Sequence, residues 1–94
     1  MWWTVSKFRT KVSKNKAKHY YNVHSNDFGE VYPLDFIVTA NKDNDLLSMK
    51  FRAYTDEDFM DDLQIRIINE FYAMTRISKG DILKEKSFLV HFKS

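Results

Sequence analysis

Two segments in which apolar and polar residues alternate, on either side of a short polar stretch, most constrain how this chain can fold. The segments are VYPLDFIVTA, residues 31–40, and LLSMKFRAY, residues 46–54. Such alternation is typical of a β-strand with one buried face. The intervening NKDND, residues 41–45, is rich in turn formers, so the pattern predicts a β-hairpin. The predicted buried positions are Leu34, Phe36, Val38, Ala40, Leu47, Met49, Phe51 and Ala53.

The N-terminal part of the chain predicts one further strand and one ambiguous element. KHYYNVH, residues 18–24, favours a strand, and SNDFG, residues 25–29, favours a turn. Residues 2–12 have apolar side chains near helical spacing but several β-branched residues, so both strand and helix are open, with strand favoured. Within this segment Val5, Phe8 and Val12 are interpreted as core residues.

The amphipathic pattern after residue 55 predicts an α-helix over about residues 56–77. Acidic residues fill its first turn, where the helix dipole favours negative charge, and Gly80 suits its C-terminal end. The apolar side chains recur at spacings of three and four residues. They are Phe59, Met60, Leu63, Ile67, Ile68, Phe71, Tyr72 and Met74.

A last alternating run, SFLVHF at residues 87–92, predicts the final strand, with Ile82 and Leu83 sealing the corner before it. The predicted fold is therefore a single α+β domain over residues 1–94, with element order β-β-β-β-α-β. We expect two layers, namely an antiparallel sheet of four to five strands with one helix on one face. The other face would carry Asp35, Ile37, Thr39, Lys50, Arg52, Tyr54, Leu89 and His91.

Composition and motifs argue against several functional classes. The chain of 94 residues has no cysteine and two glycines, which excludes a disulfide framework and a glycine-rich phosphate loop. No apolar run reaches the ~18 residues of a membrane span, and Lys7 and Arg9 interrupt any signal-peptide core. The three histidines lack metal-ligand spacing, and no serine lies in a nucleophile motif. We therefore expect a cytoplasmic protein that is not an enzyme and uses no metal or cofactor.

The uneven distribution of charge is the main sequence signal for function. Residues 1–26 carry a formal charge of +6, residues 27–63 carry −7 and residues 64–94 carry +3. Basic side chains neutralise phosphates, and aromatic rings stack on unpaired bases. The N-terminal segment interleaves both, which predicts contact with single-stranded nucleic acid or with nucleic acid of any sequence. The predicted contact residues are Lys7, Arg9, Lys11, Lys14, Lys16, Lys18, Trp3, Tyr20 and Tyr21, with Lys7, Arg9 and Lys11 on one strand face and the later lysines in a loop.

A small protein-binding inhibitor or regulator, of the kind that a phage or another mobile element encodes, is the alternative. It would occlude a charged partner surface with an acidic patch, since bipolar charge suits electrostatic docking. The patch consists of Asp56, Glu57, Asp58, Asp61 and Asp62. A homodimer is also predicted, because a small sheet with one helix leaves strand edges uncovered.

Overall fold

The computed structural model describes residues 1–27, 29, 31–55, 60–78 and 81–92. It confirms the α+β class and the order β-β-β-β-α-β, and it shows that the ambiguous first segment is a strand. The elements are β1 Trp2–Val12, β2 Lys16–Ser25, β3 Val31–Asn41, β4 Leu46–Ala53, α1 Met60–Ser78, a short 3₁₀ helix Asp81–Lys84 and β5 Ser87–His91. The beginning of the predicted helix, residues 56–59, and Gly80 lie outside the described residues.

The five strands form one antiparallel sheet in the order β4-β3-β2-β1-β5. The first four are joined by short connections, so that each pairs with the strand before it. The chain then returns through α1 and the 3₁₀ helix to the opposite edge, where β5 pairs with β1. The two edges of the sheet are therefore β4 and β5.

The core lies between α1 and one face of the sheet, and aromatic rings form its centre. Tyr21, Phe36, Phe71 and Phe88 come from β2, β3, α1 and β5, and the centroids of all six ring pairs lie 5.3–6.5 Å apart. Edge-on and tilted ring contacts of this kind add to the free energy gained by burying the ring area. Leu63 and Ile67 of α1 are fully buried against them.

Four apolar residues that the sequence assigns to the core are exposed instead, namely Leu47 and Ala53 of β4 and Phe8 and Val12 of β1. In β4, Leu46 pairs with Ala40 and Ser48 pairs with Thr39, so that Leu47 is an additional residue in a bulge. Leu47 is consequently exposed, and the half-buried Leu46 packs on the core in its place. Phe8 is exposed because it lies at a second bulge, in β1, on the sheet face that points away from α1, and Val12 and Ala53 are exposed because they end β1 and β4.

The β1–β2 hairpin is tighter than predicted. Lys16 already belongs to β2, and the Ser13 backbone N–H donates to the Lys16 carbonyl oxygen at 2.8 Å. Lys16 and Lys18 are therefore strand residues, and of the three lysines assigned to a loop only Lys14 lies in the turn. At the other end of the chain, Ile82 and Leu83 are buried in the 3₁₀ helix, which confirms the predicted corner.

Candidate nucleic-acid interface

A β-bulge at Phe8 decides which side chains of β1 point toward α1. Lys7 lies opposite Tyr21 and Arg9 lies opposite Tyr20, so two consecutive residues of β2 face residues of β1 that are two apart. The additional residue shifts the side-chain alternation by one position. Before the bulge, the side chains of odd-numbered residues such as Val5 face α1. After the bulge, the side chains of odd-numbered residues such as Arg9 face away from α1. We call the sheet face that points away from α1 the open face.

Lys7 is on the core side of the sheet, so the predicted stripe of Lys7, Arg9 and Lys11 is wrong at Lys7. Its Nζ donates a hydrogen bond to the carbonyl oxygen of Leu83 and lies 5.7 Å from the centroid of the Tyr21 ring. Burial lowers the pKa of Lys7 below the ordinary 10.5. Lys7 therefore anchors the 3₁₀ helix to β1 and does not share a surface with Arg9 and Lys11.

Two of the three predicted stacking residues are also buried. Trp3 and Tyr21 are 4% and 1% exposed, because both face α1 in strands whose register fixes that orientation. Burial also raises the pKa of Tyr21 well above 10. Tyr20, the neighbour of Tyr21 on β2, faces the open side of the sheet and is half-buried there. Of the predicted rings, only Tyr20 is thus on the open face.

One row of side chains crosses four strands of the open face. Strand register aligns Arg9, Tyr20, Ile37 and Lys50 from β1 to β4. The Arg9 guanidinium carbon lies 5.6 Å from the centroid of the Tyr20 ring, and the Phe8 ring lies 6.2 Å from it. A cation within about 6 Å of an aromatic face is attracted to it. The row and the adjoining Phe8 therefore combine two rings and two cations in one patch.

The adjacent row carries two lysines directly opposite each other. Lys11 of β1 pairs with Lys18 of β2. Lys18 also pairs with Thr39 of β3, and Thr39 pairs with Ser48 of β4. Like charges in directly opposed positions of a sheet are destabilising. Lys14 and Lys16 extend the basic surface toward the hairpin turn, and all four lysines are exposed. The arrangement is unfavourable for the isolated fold, and a bound polyanion would relieve it.

Acidic residues are almost absent from the sheet. The five strands contain seven lysine and arginine residues but one carboxylate, that of Asp35. Asp35 is itself neutralised, since it accepts hydrogen bonds from Arg52 Nη2 at 3.2 Å and from the Tyr54 hydroxyl at 2.5 Å. The hydrogen bond to Asp35 raises the pKa of Arg52. The open face is therefore uniformly positive or neutral at neutral pH.

Sequence reasoning had placed Lys50 and Arg52 on this face but had not joined them to the basic N-terminal segment. They are separated from Arg9 by about forty residues, and only the order of the strands brings them to one surface. Phe8 was missed because a bulge leaves no distinct mark in a single sequence. The alternation in β4 was the one signal that could have added Lys50 to the predicted site.

The two acidic residues of the alternative site that the structure describes belong to the helical layer. Asp61 and Asp62 are exposed in the first turn of α1, while Asp56, Glu57 and Asp58 lie outside the described residues. The remaining described carboxylates lie in turns, in α1 or near the 3₁₀ helix. The two layers of the fold thus differ in charge.

Known proteins give no further guide to this surface. Comparisons of the chain with protein-family models, curated proteins and solved structures found no match. Among the described residues, no cluster of histidine, aspartate or glutamate side chains could hold a metal ion. No described helix is both long enough and apolar enough to cross a bilayer.

A buried histidine lies on the core side of the sheet, close to Lys7. His19 is 7% exposed and faces α1, with its Nδ1 atom 3.5 Å from the Thr10 hydroxyl. Burial, and secondly the charge of Lys7, lower the pKa of His19 below its ordinary 6.5. The folded protein therefore favours the neutral imidazole, and this preference weakens the fold once the unfolded chain binds a proton.

We expect His19 to make the protein less stable as the pH falls below about 6.5. Above that value the imidazole is neutral in both states, and below it the unfolded state alone gains a proton until the lower folded pKa is reached. The slope from one group cannot exceed about 1.4 kcal/mol per pH unit. In urea unfolding at pH 7.5, 6.0 and 5.0, His19→Gln should flatten the loss of stability. His91→Gln, on the exposed side of β5, is the control, and parallel pH profiles for all three proteins would contradict the prediction.

Proposed function

We propose that the open face binds single-stranded nucleic acid without strong sequence preference. The observation that carries the proposal is the row Arg9–Tyr20–Ile37–Lys50, with Phe8 beside it, on a face whose single carboxylate is neutralised. This surface offers the two kinds of contact that a single strand requires, namely cations for its phosphates and rings for its bases.

The phosphate contacts come from three strands and a turn. Arg9 and Lys11 lie on β1, Lys18 on β2 and Lys50 on β4, with Lys14 between the first two strands. A strand of nucleic acid that runs across the sheet would pass several of these cations in succession. Binding would also offset the repulsion between the opposed Lys11 and Lys18. In the isolated fold these two charges only lower stability, so their presence favours a role in binding.

The base contacts come from Phe8 and Tyr20. Phe8 is 50% exposed at the bulge and shares its patch with the half-buried Tyr20. Stacking bases on aromatic side chains of a sheet is an established way to bind RNA. Bases in a duplex are already stacked and paired, so side chains on an open sheet reach unpaired bases more easily. This is the reason to propose a single strand rather than a duplex.

A cytoplasmic location is compatible with this role and stays a prediction. The protein-binding alternative also stays a prediction, since of its five residues the structure describes two, Asp61 and Asp62. The two functions would use different surfaces of the molecule. Nucleic-acid binding depends on the open face, whereas occlusion of a basic partner would depend on the beginning of α1.

The first prediction for this function concerns the location of the charge. Arg9→Gln together with Lys18→Gln should weaken binding to fluorescein-labelled dT20 and rU20 in anisotropy titrations. It should also reduce the slope of log affinity against log salt concentration by about 1.4, since each phosphate contact contributes about 0.7 for single strands. Measuring the DNA and the RNA strand separately shows which one the face prefers.

The matched control removes the same charge from the other layer. Arg76→Gln together with Lys84→Gln changes two exposed residues of the helical layer and gives the same net charge. Affinity and salt slope should then stay near those of the wild type. Equal losses in both double variants would mean that only net charge matters, and no binding of the wild type to either strand at 50 mM salt would overturn the proposed function.

The second prediction concerns stacking. Phe8→Leu keeps an apolar side chain but removes the ring, and it should weaken binding about 5- to 150-fold, the equivalent of ~1–3 kcal/mol per stacked base. Tyr72→Leu is the control, because Tyr72 of α1 is 52% exposed, close to the 50% of Phe8. Heparin, a polyanion without bases, should bind the wild type and Phe8→Leu alike. If Phe8→Leu binds dT20 as tightly as the wild type does, the surface holds phosphates but not bases.

A further inference from the structure

The β5 edge of the sheet presents backbone groups that no neighbouring strand uses. The Lys7 N–H donates to the Lys86 carbonyl at 2.7 Å, and the Phe92 N–H donates to the Met1 carbonyl at 3.0 Å. In an antiparallel pair, alternate residues exchange hydrogen bonds with the partner strand. The even-numbered residues of β5 therefore bond to β1, and the backbone groups of Ser87, Leu89 and His91 point outward.

The sequence of β5 lacks the features that normally protect an edge strand. SFLVH contains no lysine, glutamate or proline, which natural proteins use to prevent edge-to-edge pairing. The opposite edge, β4, is protected in just this way. It carries Lys50 and Arg52 and is interrupted by the bulge at Leu47. Of the two edges, β5 is thus the one suited to accept another strand.

A second copy of β5 fits this edge because the strand is self-complementary. A two-fold axis at Leu89 would pair Leu89 with its equivalent and Ser87 with His91 of the other copy. The three outward residues could then form up to about six hydrogen bonds between the strands. No charged side chains of β5 would oppose each other, whereas a β4–β4 contact would bring cations together.

A side chain of the neighbouring helix also reaches the β5 edge. A groove between α1 and β5 is lined by Asp62, Ile65, Arg66, Asn69, His91 and Phe92. Ile65 is exposed there, and Arg66 Nε already donates to the outward carbonyl of His91 at 2.9 Å. A backbone carbonyl has two lone pairs, so the His91 carbonyl could still accept a hydrogen bond from a second strand.

We infer that the chain forms a symmetric dimer by antiparallel pairing of two β5 strands, which creates one continuous sheet of ten strands. This pairing gives the homodimer that the sequence predicts a specific interface. The inference does not depend on the proposed function, although in such a dimer the two open faces would lie on the same side of one sheet.

The oligomeric state of edge variants tests the dimer. By sedimentation velocity at about 100 μM, the wild type should have the mass of a dimer, and Leu89→Lys should have that of a monomer. Leu47→Lys is the control, since Leu47 lies on the other edge with 50% exposure, against 52% for Leu89. It should remain dimeric, and circular dichroism should show that both variants are folded. A monomeric wild type, or dissociation by Leu47→Lys and not by Leu89→Lys, overturns the inference.

A cysteine cross-link tests the register independently. The chain has no cysteine, so Leu89→Cys introduces a single thiol. In the dimer the two equivalent Cα atoms would lie about 5.5 Å apart, which a disulfide can bridge. Oxidation by a mild oxidant such as oxidised glutathione should convert most of Leu89→Cys to a covalent dimer but leave Leu47→Cys largely monomeric. Equal cross-linking of the two variants, or none of Leu89→Cys, would contradict the proposed pairing.

Discussion

The bulge at Phe8 is the constraint on which the two sides of this sheet depend. Because of the bulge, the side chains of Val5 and Lys7 point toward α1, whereas that of Arg9, two residues after Lys7, points away from it. On the inner side, Lys7 reaches the carbonyl of Leu83 and ties the 3₁₀ helix to the sheet. On the outer side, Arg9 lies over Tyr20. Without the additional residue, a regular strand would place Lys7 and Arg9 on the same face.

The fold also separates charge by layer. The strands are basic and their one carboxylate, Asp35, is held by Arg52 and Tyr54, while most other described carboxylates lie in turns or in the helical layer. Strands tolerate this asymmetry because the cations alternate with core residues and extend into solvent. The directly opposed Lys11 and Lys18 lower the stability of the sheet by a small amount. Binding of a polyanion, as we propose, would offset this cost.

The sequence predicted the fold class well because the periodicities are strong. The hairpin around residues 41–45, the helix and the last strand all follow from alternation or helical spacing. The site was predicted less well, because strand register determines it. Tyr20 and Tyr21 are adjacent and chemically identical, yet one lies on the open face and the other in the core. A bulge can occur at many positions in a strand, so the sequence did not reveal that Phe8 is exposed or that Lys7 is half-buried on the core side.

Mapping the bound surface residue by residue tests most directly whether the open face binds nucleic acid. In ¹H–¹⁵N correlation spectra of the wild type titrated with unlabelled dT8, we expect the largest shifts at the amides of Phe8, Arg9, Tyr20 and Lys50, which three different strands contribute. The amides of Asp61 and Asp62 in α1 should change little. Shifts concentrated in α1, or confined to the hairpin turn around Lys14, would contradict the claim that the open face of the sheet is the binding surface.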